Sequence, residues 1–347
     1  MNGKITIRDV AKHAGVSPAA VSYVLNGINK VSDETKQRIL KAVKELEYEP
    51  NLTAVSLSKR KSNVIAVMFP LVNDSLVTMF KDNHYQSEMI SGIEYVLRKN
   101  GYDLLISGVQ SPSECMKWIR KRNVDGLVFL GVFPNRLYEE MKALSKPIVL
   151  VDTYDKYERY FNHITMNDEE GGYQATKHLI ELGHSAIGFI AHRMTNSPID
   201  HNRFIGYEKA LKEAGIKPCK SHIFEALDSS FENGYRVGKE LLLRPHSMSA
   251  FFASSDTLAL GIMKALQEEG KRIPEDYSIV GFDDLTFSSY ATPSLTTVRQ
   301  DVFNKGSVAA TAIIQAIENE TTALQHIRLS TELVQRESTA KKKGVAG

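Results

Sequence analysis

From Ser62 onward the chain repeats one pattern, and that pattern leaves few folds open to it. Short apolar runs ("VIAVMF", "DLLISG", "GLVFLG", "PIVLVD", "AIGFIA", "AFFASS" and "YSIVGF") alternate with stretches whose apolar residues recur at helical spacing. In one such stretch Met89, Ile90, Ile93, Val96 and Leu97 fall on a single helix face. Strands this apolar are buried on both sides. Alternation with helices supplies the cover and makes the sheet parallel. Seven or more strands, with a break in rhythm around residues 153–167, predict two doubly wound halves rather than one sheet. The expected class is therefore α/β, and a small ligand belongs in the cleft at the carboxyl ends of the strands. Asp152 closes "PIVLVD" and Asp283 follows "YSIVGF" at two such ends. A carboxylate there rarely serves packing.

The first 60 residues obey a different logic. Thr6 can cap a helix with Asp9 three positions on, Val10 and Ala14 give that helix a small apolar face, and Gly15 supplies a turn. Ser17 is a second cap, with Pro18 at the first helical position. Ala20, Val21, Val24 and Leu25 then face inward, leaving Pro18, Ala19, Ser22, Tyr23 and Asn26 on the other side. Ser32 starts a third helix, whose Ile39, Leu40, Val43 and Leu46 recur at helical spacing. Two short helices around a tight turn, braced by a third, make a helix-turn-helix unit whose second helix suits a major groove. A three-helix module that binds protein is the alternative. Charge alone reads as a solvated basic face, but with the capped geometry it favours DNA: residues 1–62 hold 11 Lys and Arg against 6 Asp and Glu, while residues 63–340 are net acidic. A basic segment on an acidic body favours a polyanion, here DNA.

Other classes find little support. No run approaches the roughly 20 apolar residues of a membrane span, and the N-terminus lacks an apolar signal core. Cys115 and Cys219 have no metal-like or disulfide-like spacing, so the expected compartment is the cytosol, with no cofactor and no metal. No GxSxG, HExxH or P-loop pattern occurs, and "SLSK" at Ser56–Lys59 has the SxxK spacing only by chance.

The stretches "TIRDVAKHAGVSPAAVSYVLNG", "ELEYEPNLTAVSLSKRKSNVIAV", "HLIELGHSAIGFI", "SSDTLALGIMKAL", "YSIVGFDDL", "PSLTTVRQD" and "ELVQREST" resemble, in order, the lac-repressor-type (LacI/GalR) family of transcription regulators. The resemblance spans essentially the whole chain. It implies a helix-turn-helix head over residues 1–61, with Thr6, Ser17, Pro18, Ala19, Ser22, Tyr23 and Asn26 toward DNA. A hinge helix at about 50–58 follows, in which Thr53, Ala54 and Leu57 enter the minor groove and Leu57 wedges between base steps. Tyr23 and Val55 stand where many members have arginine, which removes a direct bidentate reading of guanine. The effector-binding and dimerisation domain, with two periplasmic-binding-protein-like subdomains, would cover 62–340. One subdomain takes about 62–162 and 293–325, the other about 163–292 and 326–340, and residues 341–347 form a disordered tail.

For the cleft, the resemblance implies contacts from Tyr85, Asp152, Arg203, Phe231, Ser255 and Asp283. Phe231 also reads as a core aromatic, Arg203 as one half of a surface ion pair, Asp256 as a helix N-cap and His84 as a solvated loop histidine. Between Pro70 and Gly92 the chain runs longer than most relatives. Carboxylates, an arginine fork and an aromatic face suit a polyhydroxylated ligand. The function implied is that of a bacterial, cytoplasmic, nucleoid-associated homodimer on a pseudo-palindromic operator. It represses carbohydrate-use genes under control of a sugar. Control by a nucleobase or by a phosphocarrier protein, and a sugar-binding receptor, are the alternatives.

Overall fold

The computed structural model describes residues 5–25, 27–48, 61–71, 84–192, 194, 197–243, 247–318 and 323–342. The chain forms two compact units, Met1–Asn63 and Val64–Gly347. The hinge positions Thr53, Ala54 and Leu57, and Asn26, lie outside the described residues.

The first unit holds α1 (Ile7–Ala14), α2 (Pro18–Leu25) and α3 (Asp33–Glu45). Asp9 fixes the start of α1: its Oδ2 accepts the Thr6 backbone N–H at 2.8 Å and the Thr6 hydroxyl at 2.6 Å. These bonds, the hydroxyl first, hold the Asp9 carboxyl below its usual range. Gly15, at φ +65°, ends α1 in the left-handed conformation that glycine adopts without penalty. Ser17 Oγ accepts from Ala20 N at 3.2 Å and starts α2 behind Pro18. Ser32 Oγ accepts from Thr35 N at 3.3 Å and starts α3. Val10, Val21 and Ile39 meet in the middle, fully buried. Leu40, expected on the inner face, is 42% exposed because Ile39 and Ala42 already fill it.

The second unit contains two six-stranded sheets. The first combines β1 (Val64–Pro70), β2 (Asp103–Val109), β3 (Gly126–Leu130), β4 (Ile148–Val151), β5 (Asn162–Met166) and β11 (His326–Leu329), in the order β11-β5-β4-β3-β1-β2. All its pairs are parallel. The second combines β6 (Ile187–His192), β7 (Ile223–Ala226), β8 (Ala250–Ala253), β9 (Ser278–Asp283), β10 (Thr296–Arg299) and β12 (Glu332–Val334). Its order is β12-β10-β9-β8-β6-β7, and only the β10–β12 pair is antiparallel.

Helices cover both faces, as the apolar strands require. In the first sheet Ile65, Val67 and Phe69 pack against α4 (His84–Lys99) and α12 (Val302–Glu318). The alternate residues Ala66 and Met68 pack against α5 (Pro112–Lys121) and α6 (Asn135–Met141). In the second sheet Phe189, Phe252 and Phe282 face α7 (Asp168–Glu181) and α8 (Pro198–Glu213). Ile190, Phe251 and Ile279 face α9 (Phe231–Leu243) and α10 (Asp256–Glu268). The short α11 (Thr286–Tyr290) follows β9.

The chain passes between the sheets after β5, after β10 and after β11, which moves every expected subdomain boundary. The expected break at 153–167 contains β5. This strand was hidden because Asn162, His163 and Thr165 interrupt its apolar run. Asn162 is buried yet satisfied: its amide donates to Ile148 O at 3.1 Å and accepts from Gln325 N at 2.9 Å. β10, expected in the first half, lies beside β9 in the second sheet, and β11, expected in the second half, lies beside β5 in the first. Both have four residues, too short for composition to choose a sheet; backbone pairing decides. Of the expected disordered tail, Lys342 N donates to Leu182 O at 2.8 Å, so the chain is anchored that far.

Candidate functional site

At the carboxyl ends of β4 and β9, Asp152 and Asp283 have φ of +55° and +122°. Non-glycine residues held in this region mark sites where the surroundings over-determine the backbone, and aspartate is among the residues that tolerate it. Both carboxylates are buried, and a chain of polar contacts joins them. Asp152 Oδ2 accepts the Tyr85 hydroxyl and the Lys305 ammonium, each at 2.7 Å. Lys305 also donates to Tyr85 Oη at 2.9 Å and to Gln300 Oε1 at 2.7 Å. Gln300 Nε2 then donates to Asp283 Oδ1 at 2.5 Å. Arg203 Nη1 lies 3.9 Å from the same Asp283 oxygen. Arg203 Nε donates to Asp168 Oδ1 at 2.8 Å, Nη1 to Ser254 O at 2.5 Å, and the guanidinium stacks 3.5 Å over the Phe282 ring.

Local sequence explains the placement of Arg203. Gly172 on α7 lets α8 approach so closely that a Cβ there would come within 2.1 Å of the Arg203 carbonyl oxygen. Asp168 starts α7, where the positive helix end favours a carboxylate. Burial dominates the electrostatics. It raises the Tyr85 hydroxyl well above its ordinary value, with the Asp152 charge adding to the effect. Burial also raises Asp168, and raises Asp283 to about 6, in each case against the pull of Arg203. At Asp200, burial is outweighed by hydrogen bonding to His192 and by the Arg203 charge, so its carboxyl stays below the usual range. A cavity of about 120 Å³ adjoins the network, lined by Asp152, Thr153, Asp168, Asn202 and Arg328 among others.

Four residues singled out in the sequence, Tyr85, Asp152, Arg203 and Asp283, thus meet in one network. Two do not join it. Ser255 is the N-cap of α10, its Oγ accepting from Leu258 N at 3.2 Å. Phe231 opens α9 with 40% of its surface exposed, so it is not a core residue either. Asp256 is the first residue of α10 rather than its cap. Its buried carboxylate accepts from Leu285 N at 2.9 Å, Ser288 Oγ at 2.6 Å and Thr297 Oγ1 at 2.5 Å, tying β9, α11 and β10 together. His84, read as a loop residue, begins α4 with its ring 5.0 Å from that of Phe287.

Three members of the network were missed: Asp168, Gln300 and Lys305. Lys305 did leave a signal, since it falls on the face shared by Val302, Gly306, Ala309 and Ile313, where a charge is out of place. Gln300 and Asp168 left none; one follows a strand and the other reads as an ordinary first-turn acid. Among the described residues, Asp155, Glu158 and His163 bring donor atoms within 4.8 Å of one another. His163 Nδ1 is already 3.3 Å from Glu158 Oε1, which reads as a surface carboxylate orienting a buried imidazole.

In the first unit, Thr6, Ser17, Pro18 and Ala19 are exposed, and Ser22 and Tyr23 are half-buried. α2 carries no charged side chain; Lys30, beyond it, places its ammonium 5.4 Å from the Tyr23 ring centre. A small, uncharged helix preceded by a tight turn can lie close against base edges. No described helix is long and apolar enough to cross a membrane.

Comparison with known proteins agrees with this geometry. Residues 6–51 match the bacterial regulatory proteins of the lacI family, and residues 176–339 match the periplasmic binding protein-like domain. The ribose operon repressor of Haemophilus influenzae is 33% identical over 338 residues, covering 96% of this chain and 98% of that one. A crystal structure of the lac repressor dimer bound to operator and the anti-inducer ONPF superposes with a TM-score of 0.84 at 27% identity, covering 97% and 100%. The complex of the transcriptional regulator CelR with cellobiose gives 0.74 at 28% identity, covering 96% and 99%. A helix-turn-helix head, two mostly parallel α/β sheets and relatives matched along nearly their whole length lead to one assignment: the chain belongs to the lacI family of bacterial regulatory proteins, as a transcriptional repressor with an effector-binding domain.

Proposed function

We propose that this repressor binds a pseudo-palindromic operator as a homodimer and that a small sugar in the cleft between its two sheets controls operator affinity. α2 reads the major groove through Ser17, Pro18, Ala19, Ser22 and Tyr23, with Asn26 beside them and Thr53, Ala54 and Leu57 in the minor groove. Tyr85, Asp152, Arg203 and Asp283 face the effector. One observation carries the reading: a buried, alternately charged network lies at the carboxyl ends of strands from both sheets, where such folds take their ligands. Carboxylates that accept paired hydroxyls beside an arginine fork suit a polyol. The relatives that carry ribose in their name and cellobiose in their complex support a sugar.

The test is a selection on randomised duplex DNA, followed by titration of the selected operator with D-ribose and cellobiose by fluorescence anisotropy. An inverted-repeat site, and an operator affinity that changes at least tenfold with one sugar, are expected. Release by a protein partner with no response to either sugar would overturn the effector assignment while leaving the operator intact.

A further inference from the structure

The polar groups of the cleft bond to one another, and the group at their centre is the Lys305 ammonium. Its side chain is 1% exposed. Its three N–H donors have three acceptors, Asp152 Oδ2, Gln300 Oε1 and Tyr85 Oη, at 2.7, 2.7 and 2.9 Å. Tyr85, Asp152 and Lys305 all belong to the first sheet and its helices, whereas Asp283 and Arg203 belong to the second. Gln300, in the segment that crosses from β10 to α12, hands the contact across to Asp283 at 2.5 Å. The edge-on contact of His84 with Phe287 joins the same two sides. A ladder of hydrogen bonds that runs through one lysine therefore links the two halves.

We propose that Lys305 is an internal occupant of the effector cleft: its ammonium fills the donor position that a hydroxyl of a neutral polyol takes, so effector entry and release of the ladder are one exchange. This rests on the sugar reading given above and narrows it. The three partners that Lys305 would give up are all acceptors, so the ligand group that replaces it must donate hydrogen bonds. A phosphate or carboxylate presented there would meet the Asp152 carboxylate with its cation removed, an uncompensated like-charge contact in a buried site. Arg203 already faces the carboxylates of Asp168 at 2.8 Å and Asp283 at 3.9 Å, so its positive charge is matched before an anion arrives. The class selected is the neutral polyol, and Lys305 sets that specificity by competing for its place.

Two measurements on the full chain decide the matter, using Lys305→Met and, should that chain fold poorly, Lys305→Gln. The first needs no ligand. Cys219 is exposed and Cys115 buried, so one spin label goes on Cys219 and one on Lys121→Cys at the end of α5, diluted with unlabelled chain. The parent should give one narrow distance distribution. Loss of the ladder should broaden it or shift it by more than about 2 Å, and an unchanged distribution would overturn the proposal whatever the effector is. The second titrates D-ribose, cellobiose, D-gluconate and glucose 6-phosphate by calorimetry. A neutral sugar that binds the parent should bind the Lys305 variants about tenfold or more tighter, and the anions should gain nothing. Anionic sugars that bind the parent and are lost in the variants would make Lys305 an anion ligand and sink the occupant role. Should none of the four bind either chain while the distance shifts, the ladder stands and the sugar reading falls.

Discussion

Arg203→Met is the perturbation whose cost the structure sets most directly. The guanidinium is 6% exposed and has four partners: Asp168 at 2.8 Å, Ser254 O at 2.5 Å, Asp283 at 3.9 Å and the Phe282 ring at 3.5 Å. Truncation leaves the Asp168 carboxylate, itself 5% exposed, buried without its cation. Removing one partner of a buried ion pair costs about 3–5 kcal/mol, most of it from the charge left behind rather than from the lost attraction. The loss should therefore be largely reversed by removing the second charge, and Arg203→Met with Asp168→Asn should come within about 1–2 kcal/mol of the parent. A pH dependence follows with a definite sign. Burial raises Asp168 and Asp283 against the pull of Arg203, so without the arginine both carboxyls take up protons more readily in the folded state. A carboxyl raised in the folded state adds stability below its unfolded value that is lost as pH rises through the folded value. The single variant should thus recover part of its deficit between pH 7 and pH 5. Urea denaturation followed by circular dichroism at the two pH values, over all four corners of the cycle, measures this. A single variant within 1 kcal/mol of the parent, or a double variant no better than the single, would refute an energetically dominant buried charge.

Two further outcomes can be checked on the same scaffold. Burial, helped by the Asp283 charge, raises the Asp256 carboxyl to about 8, so its contribution is fully present near pH 4 and lost as pH rises through about 8. Asp256→Asn should flatten that slope in thermal melts recorded across the range; an unaltered slope would mean that Asp256 stays ionised throughout. Gly172→Ala places a methyl 2.1 Å from the Arg203 carbonyl oxygen, a backbone atom with nowhere to go. It should lower stability by about 1–3 kcal/mol, and an unchanged melting temperature would show that α7 and α8 slide apart freely.

Much of the fold was legible because its elements are local. Gly15, Ser17, Pro18 and Ser32 punctuate the first unit by chemistry that acts within four residues, and the structure has helices starting and stopping where those residues stand. The seven apolar runs are all strands, six of them buried nearly throughout and β2, at a sheet edge, half-buried. Asp152 and Asp283 could be picked out as well, since a carboxylate at a strand end is anomalous by itself.

What the sequence left open is everything that depends on a partner distant in the chain. β5 carries buried polar residues whose satisfaction comes from Ile148 and Gln325, and nothing within Asn162–Met166 announces it. β10 and β11 each have four residues that fit either sheet, and only pairing with β9 and β5 assigns them. The cleft network follows the same rule. Lys305 and Asp152 are 153 positions apart, Gln300 and Asp283 are 17, Arg203 and Asp168 are 35. A charge becomes a buried, paired group only when packing removes water from both members. Tertiary structure alone decided that, and with it which of the many aspartates and lysines of this chain form the site.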